Sequence, residues 1–436
     1  MAAALARTRG PEADPAAGVS VADFDPFSPR WREDPYPIYR RLRDEAPVHY
    51  APGSKVYSVS RFEDVLFVLK NDELFSSKAM FTALIGAPLQ QGISWGAVRF
   101  ALRFLFRAGH TPRGFIKARK LIVEDGETHS AMRSVVNRGF TPRRIAALEP
   151  RVRELAADCV RALRGVPRFD LVQALSVPLP VTVISEMLGV EPARREQFKH
   201  WSDAIIERAT GAGRDDPFQS RYSDAILELH LYISGIARQR RRAPAEDVIS
   251  AVLAEQDGAA GLSNLEVVFF VVLLLVAGNE TTTNLIGNAV KALLANRAEL
   301  ARVAADPALV PELIEEVLRY DAPVQLVLRT ATREVEIAGT KIPAGAIVAP
   351  LIGSANRDER RFPDPDRFEI GRDARGHLGF GFGRHFCLGA SLARLEAAAA
   401  LEALAPEFVR LRLAEPAAAI DSFLVRGPRS LVLEAV

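Results

Sequence analysis

One of the two cysteines in the chain, Cys387, stands in the run "HLGFGFGRHFCLGASLARLE" (377–396), where four glycines crowd around it and an alanine-rich helical pattern follows at once. A thiolate is stabilised by a metal cation and by the positive end of a helix, and Cys387 lies where that dipole acts. Gly381, Gly383 and Gly389 remove side chains from its surroundings, so the backbone can approach a flat cofactor closely and aim N–H groups at sulfur. Phe380 supplies an apolar wall. Two plainer readings compete: a free cysteine buried as a small hydrophobe, and a zinc ligand, for which His385 is the only nearby companion.

A second group of reactive side chains interrupts the most apolar run of the chain, "VVFFVVLLLVAG" (267–278), which ends in "AGNETTT" with Gly278, Glu280 and Thr281. Polar groups in a low-dielectric core cost free energy unless they are satisfied or used. The simple alternative is that the hydroxyls bond back to the preceding turn and bend the helix. In "EEVLR", Glu316 and Arg319 lie three apart on one helix face, and in "ETHSAMRS" His129 and Arg133 lie four apart on another.

These residues need a frame. The chain has 436 residues, 48% hydrophobic and 25% charged, with a net charge of +2, which gives no general reason to expect nucleic acid or an acidic partner. Two cysteines exclude a disulfide framework, and "MAAALARTRGPEADPAAG" lacks the apolar core of a secretory signal, so the expected compartment is the cytoplasm. The run 267–278 is shorter than the ~20 residues of a membrane span and reads as a buried helix. "SNLE" places Ser263 three residues before Glu266, a capping box that starts that helix.

Residues 1–18, rich in Ala and Pro, read as disordered, and 19–436 as one large unit with no dividing linker. "PVHYAPGSKVYSVS" reads as a strand, a turn and a strand, followed by an amphipathic helix in "RFEDVLFVLKN". Helical patterns dominate from Thr128 to Glu255, and "RQRRRAPAED" reads as a solvated loop. A helix opens at Pro311, short strands fill "VLRTATREVEIAGTKIPAGAIV", and the last strands lie in "SLVLEAV". The fold class is helix-rich α+β, mainly α with small sheets.

The spacing Phe380, Gly383, His385, Cys387, Gly389 resembles the haem-ligating signature F-x-x-G-x-[RH]-x-C-x-G of the cytochrome P-450 superfamily, of the soluble bacterial type, and the likeness in layout runs from about Asp23 to the C-terminus. The resemblance implies haem b held by the Cys387 thiolate between a long buried helix and the cysteine loop. It implies Ala277, Phe380, Gly381 and Gly389 against the haem, with His129, Arg133, Arg329 and His385 binding its propionates. Glu280 and Thr281 would relay protons to bound dioxygen. Glu316 and Arg319 would join Arg367, from the later P-x-R-F segment, in a structural cluster leading into the cysteine loop.

The implied reaction is insertion of one oxygen atom from O2 into a lipophilic substrate, by hydroxylation or epoxidation. No dinucleotide or flavin fingerprint is present, so electrons are expected from NAD(P)H through a separate ferredoxin or flavodoxin and its reductase, with Arg133, Arg138, Arg143 and Arg144 as a docking patch. A peroxygenase, isomerase or dehydratase, or a haem sensor without turnover, are the alternatives. By resemblance the substrate pocket draws on the segment before His129, the region from Ile184 to Thr210, Val324, Val327 and Phe423. In "ISWGAVRFALRFLFRAG", Arg99, Arg103 and Arg107 recur every four residues among Trp95, Phe100, Phe104 and Phe106. A helix there would carry a basic stripe that faces water, captures an anionic group of the substrate, or meets a membrane surface.

Overall fold

The computed structural model describes residues 20–80, 95–109, 112–209, 221–254 and 261–435. The expected disorder of 1–18, the far end of the expected substrate-pocket region at Thr210 and the far end of the expected helical stretch at Glu255 lie outside the described residues.

The organising element is a continuous helix, Asn264–Ala295. Its start follows the sequence closely. Ser263 Oγ accepts from the Glu266 N–H and the Glu266 carboxylate accepts from the Ser263 N–H at 2.9 Å, closing the capping box. Glu266 is also gripped by Arg119 at 2.7 Å, which anchors the helix to the segment entering the site. The helix has 32 residues and is long and apolar enough to cross a membrane by length and composition, because it does not stop at Gly278 as the apolar run does. Residues 280–295 continue it as an amphipathic stretch. It packs against helices Arg221–Arg242, Val310–Tyr320 and Ala390–Leu404, which makes it the core helix of the largest hydrophobic cluster.

Helix Ala390–Leu404 begins just after Cys387 and packs on helix Pro142–Ala162 as well as on the central helix. Among the described residues, four small sheets accompany this helical body. Strands β1 (Val48–Ala51) and β2 (Val56–Val59) form the expected hairpin, with Tyr50 opposite Tyr57. The hairpin joins a five-stranded sheet with Phe75–Ser76, Arg329–Ala331 and Ile347–Pro350, in which Ile347–Pro350 lies between β2 and Arg329–Ala331, and Phe75–Ser76 forms the far edge. β2 and Ile347–Pro350 run parallel, and residues nearly 300 positions apart in sequence thereby share one sheet. Strand Val432–Ala435 lies between Arg168–Asp170 and Leu411–Leu413 in a second sheet.

"RQRRR" is not a loop. It is the last turn and more of helix Arg221–Arg242, in which Arg240 pairs with Asp247 and Arg241 with Asn264. Arginine is a good helix former and its charge complements the carbonyl end of a helix, so a charge run at a C-terminus extends the helix rather than ending it.

Candidate active site

The cysteine loop is held by its own backbone. The Cys387 N–H donates to Phe380 O at 3.0 Å, Gly381 N–H to Leu378 O at 2.8 Å, and residues Gly383–His385 form a single tight turn. Gly383 has φ +72°, and a Cβ there would meet Leu69 O at 2.8 Å, so only glycine fits. Cys387 lines a large, mostly apolar cavity together with Phe380, Gly381 and Gly389. A Cβ on Gly389 would meet no atom within 4 Å, so the loop presents bare backbone to open space beside the sulfur. Burial pushes the Cys387 thiol up, while the Gly389 N–H and the cations Arg133 and Arg394 act in the opposite sense.

Behind the loop stands a group that the sequence did not reveal. Arg394 lies over the Phe380 ring, 4.5 Å from its centroid, and donates to Glu315 through Nε at 2.6 Å and Nη2 at 3.0 Å. His377, at the start of the loop, meets the same carboxylate at 3.1 Å. Burial acts to raise the Glu315 pKa, but these partners override it and hold it at about 2.

The opposite wall is the central helix. Between Leu275 and Asn279 it widens into a π-turn, and Ala277 and Thr281 line the cavity at this point. Thr281 Oγ1 donates to Ala277 O at 2.6 Å, which is the back-bonding the sequence allowed as the plain alternative. With its proton committed there, the hydroxyl offers only acceptor lone pairs to other groups. Glu280 lies behind this surface: burial pushes its pKa up, and Asn284 Nδ2, at 3.4 Å, is its hydrogen-bond partner.

One edge of the cavity is cationic. His129, Arg133, Arg329 and His385 all line it, and the rings of His129 and His385 are 4.1 Å apart. Burial, then neighbouring cations, pushes His129 down to about 4. Burial, then His129 and Arg329, pushes His385 down to about 3. The two nearest carboxylates are otherwise engaged, Asp72 with Arg384 and Asp125 with Ser76 and Ser77. His129 Nδ1 is buried without a partner. Such a cluster calls for added negative charge, and the two propionates of a haem fit it, with bare glycine backbone and a cysteine at the centre of the same cavity.

Four expected positions need correction. Arg367 does not complete the Glu316–Arg319 pair with its side chain, which is 68% exposed; it offers its carbonyl to Arg319 Nη2 at 3.2 Å. The second arginine near Glu316 is Arg372, at 3.6 Å, because the turn that follows Phe368 carries it back over the helix while Arg367 leaves toward solvent. Arg99 is exposed and Arg103 pairs with Asp224 at 2.6 Å, so neither lines the cavity. Phe423 packs edge-on against Phe27 at 4.7 Å, held in a separate hydrophobic cluster. Val324 and Val327 do line the cavity, as do Ile184 and the segment before His129 through Leu121 and Ile122.

A buried acid escaped the sequence reading altogether. Glu396, on helix Ala390–Leu404, lines the cavity, is fully enclosed, and is pushed up to about 8 by burial, against a hydrogen bond from Thr282.

The fold and site define a haem-thiolate oxygenase. The family model Cytochrome P450 matches residues 217–411. The structure is similar to that of cytochrome P450 CYP109Q5 from Chondromyces apiculatus, with a TM-score of 0.81 and 38% identity over 96% of this chain and 99% of that one. It is also similar to CYP109E1 from Bacillus megaterium in complex with testosterone, with a TM-score of 0.78 and 34% identity over 92% and 99% of the two chains. Cytochrome P450 monooxygenase PikC of Streptomyces venezuelae is 37% identical over 89% of this chain and 87% of its own. The chain belongs to the cytochrome P450 family. It is a monooxygenase of the haem-thiolate class, which uses dioxygen and takes electrons from a redox partner.

Proposed function

We propose that Cys387 would supply the thiolate that holds haem b and that the enzyme inserts one oxygen atom into an uncharged, lipophilic substrate, by hydroxylation of a C–H bond or epoxidation of a double bond. The observation that carries this is the placement of one cysteine, two arginines with two histidines, and the π-turn of the central helix around a single apolar cavity. When bound, the haem supplies oxygen activation, which a thiolate ligand favours over reversible oxygen binding.

The chain's own residues do the rest. The Gly389 N–H tempers the charge on Cys387 sulfur. His129, Arg133, Arg329 and His385 would hold the propionates. Thr281, which lines the cavity with its acceptor lone pairs free, would accept a hydrogen bond from a group bound there, and Glu280, whose pKa burial pushes up, lies behind it as the proton source. Ile184, Leu273, Val324 and Val327 give an apolar wall that selects a lipophile and excludes water from the reacting centre. A steroid-sized molecule is within the substrate class, as the testosterone complex of CYP109E1 supports. Residues 19–436 act as one catalytic unit, with a ferredoxin or flavodoxin docking beside exposed Arg143.

The test is the reduced carbon-monoxide spectrum. Wild type is expected to show the strongly red-shifted Soret band of thiolate ligation. Cys159→Ser, on a helix away from the cavity, keeps that band, and Cys387→Ser loses it. A Cys387→Ser protein that binds haem and retains the band overturns the assignment.

A further inference from the structure

The helix Trp95–Ala108 has two faces that the site does not explain together. Its inner face is fixed: Phe104 is buried against His230 of helix Arg221–Arg242, with ring centroids 4.9 Å apart, Phe100 stacks on Phe104, and Arg103 pairs with Asp224 of the same helix. Its outer face is open. Phe106 is 81% exposed and Leu102, one turn earlier, is 47% exposed. At 100° per residue these two form a ridge, and exposed Arg99 and Arg107 stand beside it, with the Asp224-paired Arg103 between them.

Beyond the Arg103–Asp224 pair, the exposed charge that this segment itself carries is of one sign. No acidic residue occurs from Trp95 to Val123. Arg99, Arg107, Arg113 and Lys117 are exposed, and none of them has a carboxylate partner among the described residues. A helix with an aromatic and a leucine on one strip and arginines on the next matches an interfacial helix, whose apolar strip enters the boundary of the acyl chains while the guanidinium groups meet anionic headgroups. A second copy of this chain would present the same cations and be repelled. An acidic protein would satisfy the arginines but leave the Leu102–Phe106 ridge unexplained.

We propose that this helix docks the protein on an anionic membrane surface. The segment that follows it leads directly into the cavity wall at Leu121 and Ile122, so docking sets the substrate side against the phase in which lipophiles concentrate. The advantage to catalysis rests on the lipophilic-substrate reading above, but the docking itself does not, and it is measured without turnover.

The experiment is flotation of the haem-loaded enzyme with vesicles of pure phosphatidylcholine or of phosphatidylcholine with phosphatidylglycerol, at low and high salt. Binding is expected only to the anionic vesicles and is weakened by salt. Arg107→Gln with Arg113→Gln lowers the partition coefficient about fivefold per arginine. Phe106→Ser lowers it separately, and both variants keep the wild-type melting temperature and carbon-monoxide spectrum, so loss of fold does not account for the change. No binding to anionic vesicles, equal binding to neutral ones, or a partition unchanged by either variant overturns the proposal. So does capture of the enzyme by an acidic soluble protein with vesicles left empty.

Discussion

Thr282 of the central helix hydrogen-bonds the carboxyl of Glu396, which joins the helix facing the cavity to the helix that leads away from Cys387. The acid is buried, and its Oε1 has no partner among the described residues. With its pKa pushed from 4.5 up to about 8, it stays protonated in the folded protein across the range in which the unfolded chain ionises. The unfolded state therefore binds fewer protons between those two values, and stability falls as pH rises from about 4.5 to about 8, then levels. Glu396→Gln should remove up to ~1.4 kcal/mol per pH unit from that slope and be more stable than wild type at pH 8. Denaturant titrations of both proteins at several pH values check this, and parallel slopes would show that the carboxyl ionises in the folded state.

The Glu316 and Arg319 pair carries a different expectation. Arg319 is fully buried and donates to Glu316 twice, each bond at 2.8 Å, and to the carbonyls of Asn356, Pro365 and Arg367. It therefore ties the helix to the segment that leads into the cysteine loop. Arg319→Ala leaves the buried Glu316 carboxylate with only Arg372, at 3.6 Å, as a cationic neighbour and should cost ~3–5 kcal/mol, with loss of haem retention. Arg367→Ala should stay within ~0.5 kcal/mol, since only its backbone takes part. Chemical denaturation of the two variants ranks them, and equal losses would restore Arg367 to the cluster.

These two cases mark how far the sequence could be read. Cys387 and its glycines, the capping box at Ser263 and the Tyr50–Tyr57 hairpin depend on local patterns of a few residues, and each is found where the pattern puts it. Glu396 lies in "LARLEAAAALEAL", where a glutamate looks like any helix surface residue. Only the packing of that helix against the central one buries it. Arg367 and Arg372 cannot be told apart by spacing, because the direction in which each side chain leaves an irregular loop is set by the loop's path. The π-turn at Leu275–Asn279 likewise leaves no mark beyond the polar residues that follow it. Charge runs mislead most: "RQRRR" has the composition of a loop and the propensity of a helix.

The arginine stripe of helix Trp95–Ala108 had a reading as an anion trap for the substrate. Arg99 is exposed and Arg103 is spent on Asp224, so no guanidinium of this helix reaches the cavity. Replacing Arg99 and Arg103 by Gln should change the spectral dissociation constants of a long-chain acid and of its methyl ester by the same factor. A selective loss for the acid, about tenfold or more, would mean that the helix swings inward to meet the substrate; that factor corresponds to ~1.4 kcal/mol of lost charge recognition.

Thr281 is the residue at which structure and chemistry make the sharpest joint demand. Its hydroxyl donates to Ala277 O across the π-turn, so it holds the helix open and at the same time keeps an acceptor facing the cavity. A purely structural hydroxyl and a proton-handling one predict different failures. Thr281→Ala should retain haem and substrate affinity, because it removes only one methyl and one hydroxyl from a large apolar wall, while product formed per NAD(P)H falls and peroxide rises, with a loss in product rate of roughly 10²-fold. Thr281→Ser keeps the donor and the acceptor and should recover most of the coupling. If Ala and Ser variants couple equally well, the acceptor role passes to another group. If both fail together with loss of haem, the hydroxyl serves the helix geometry alone.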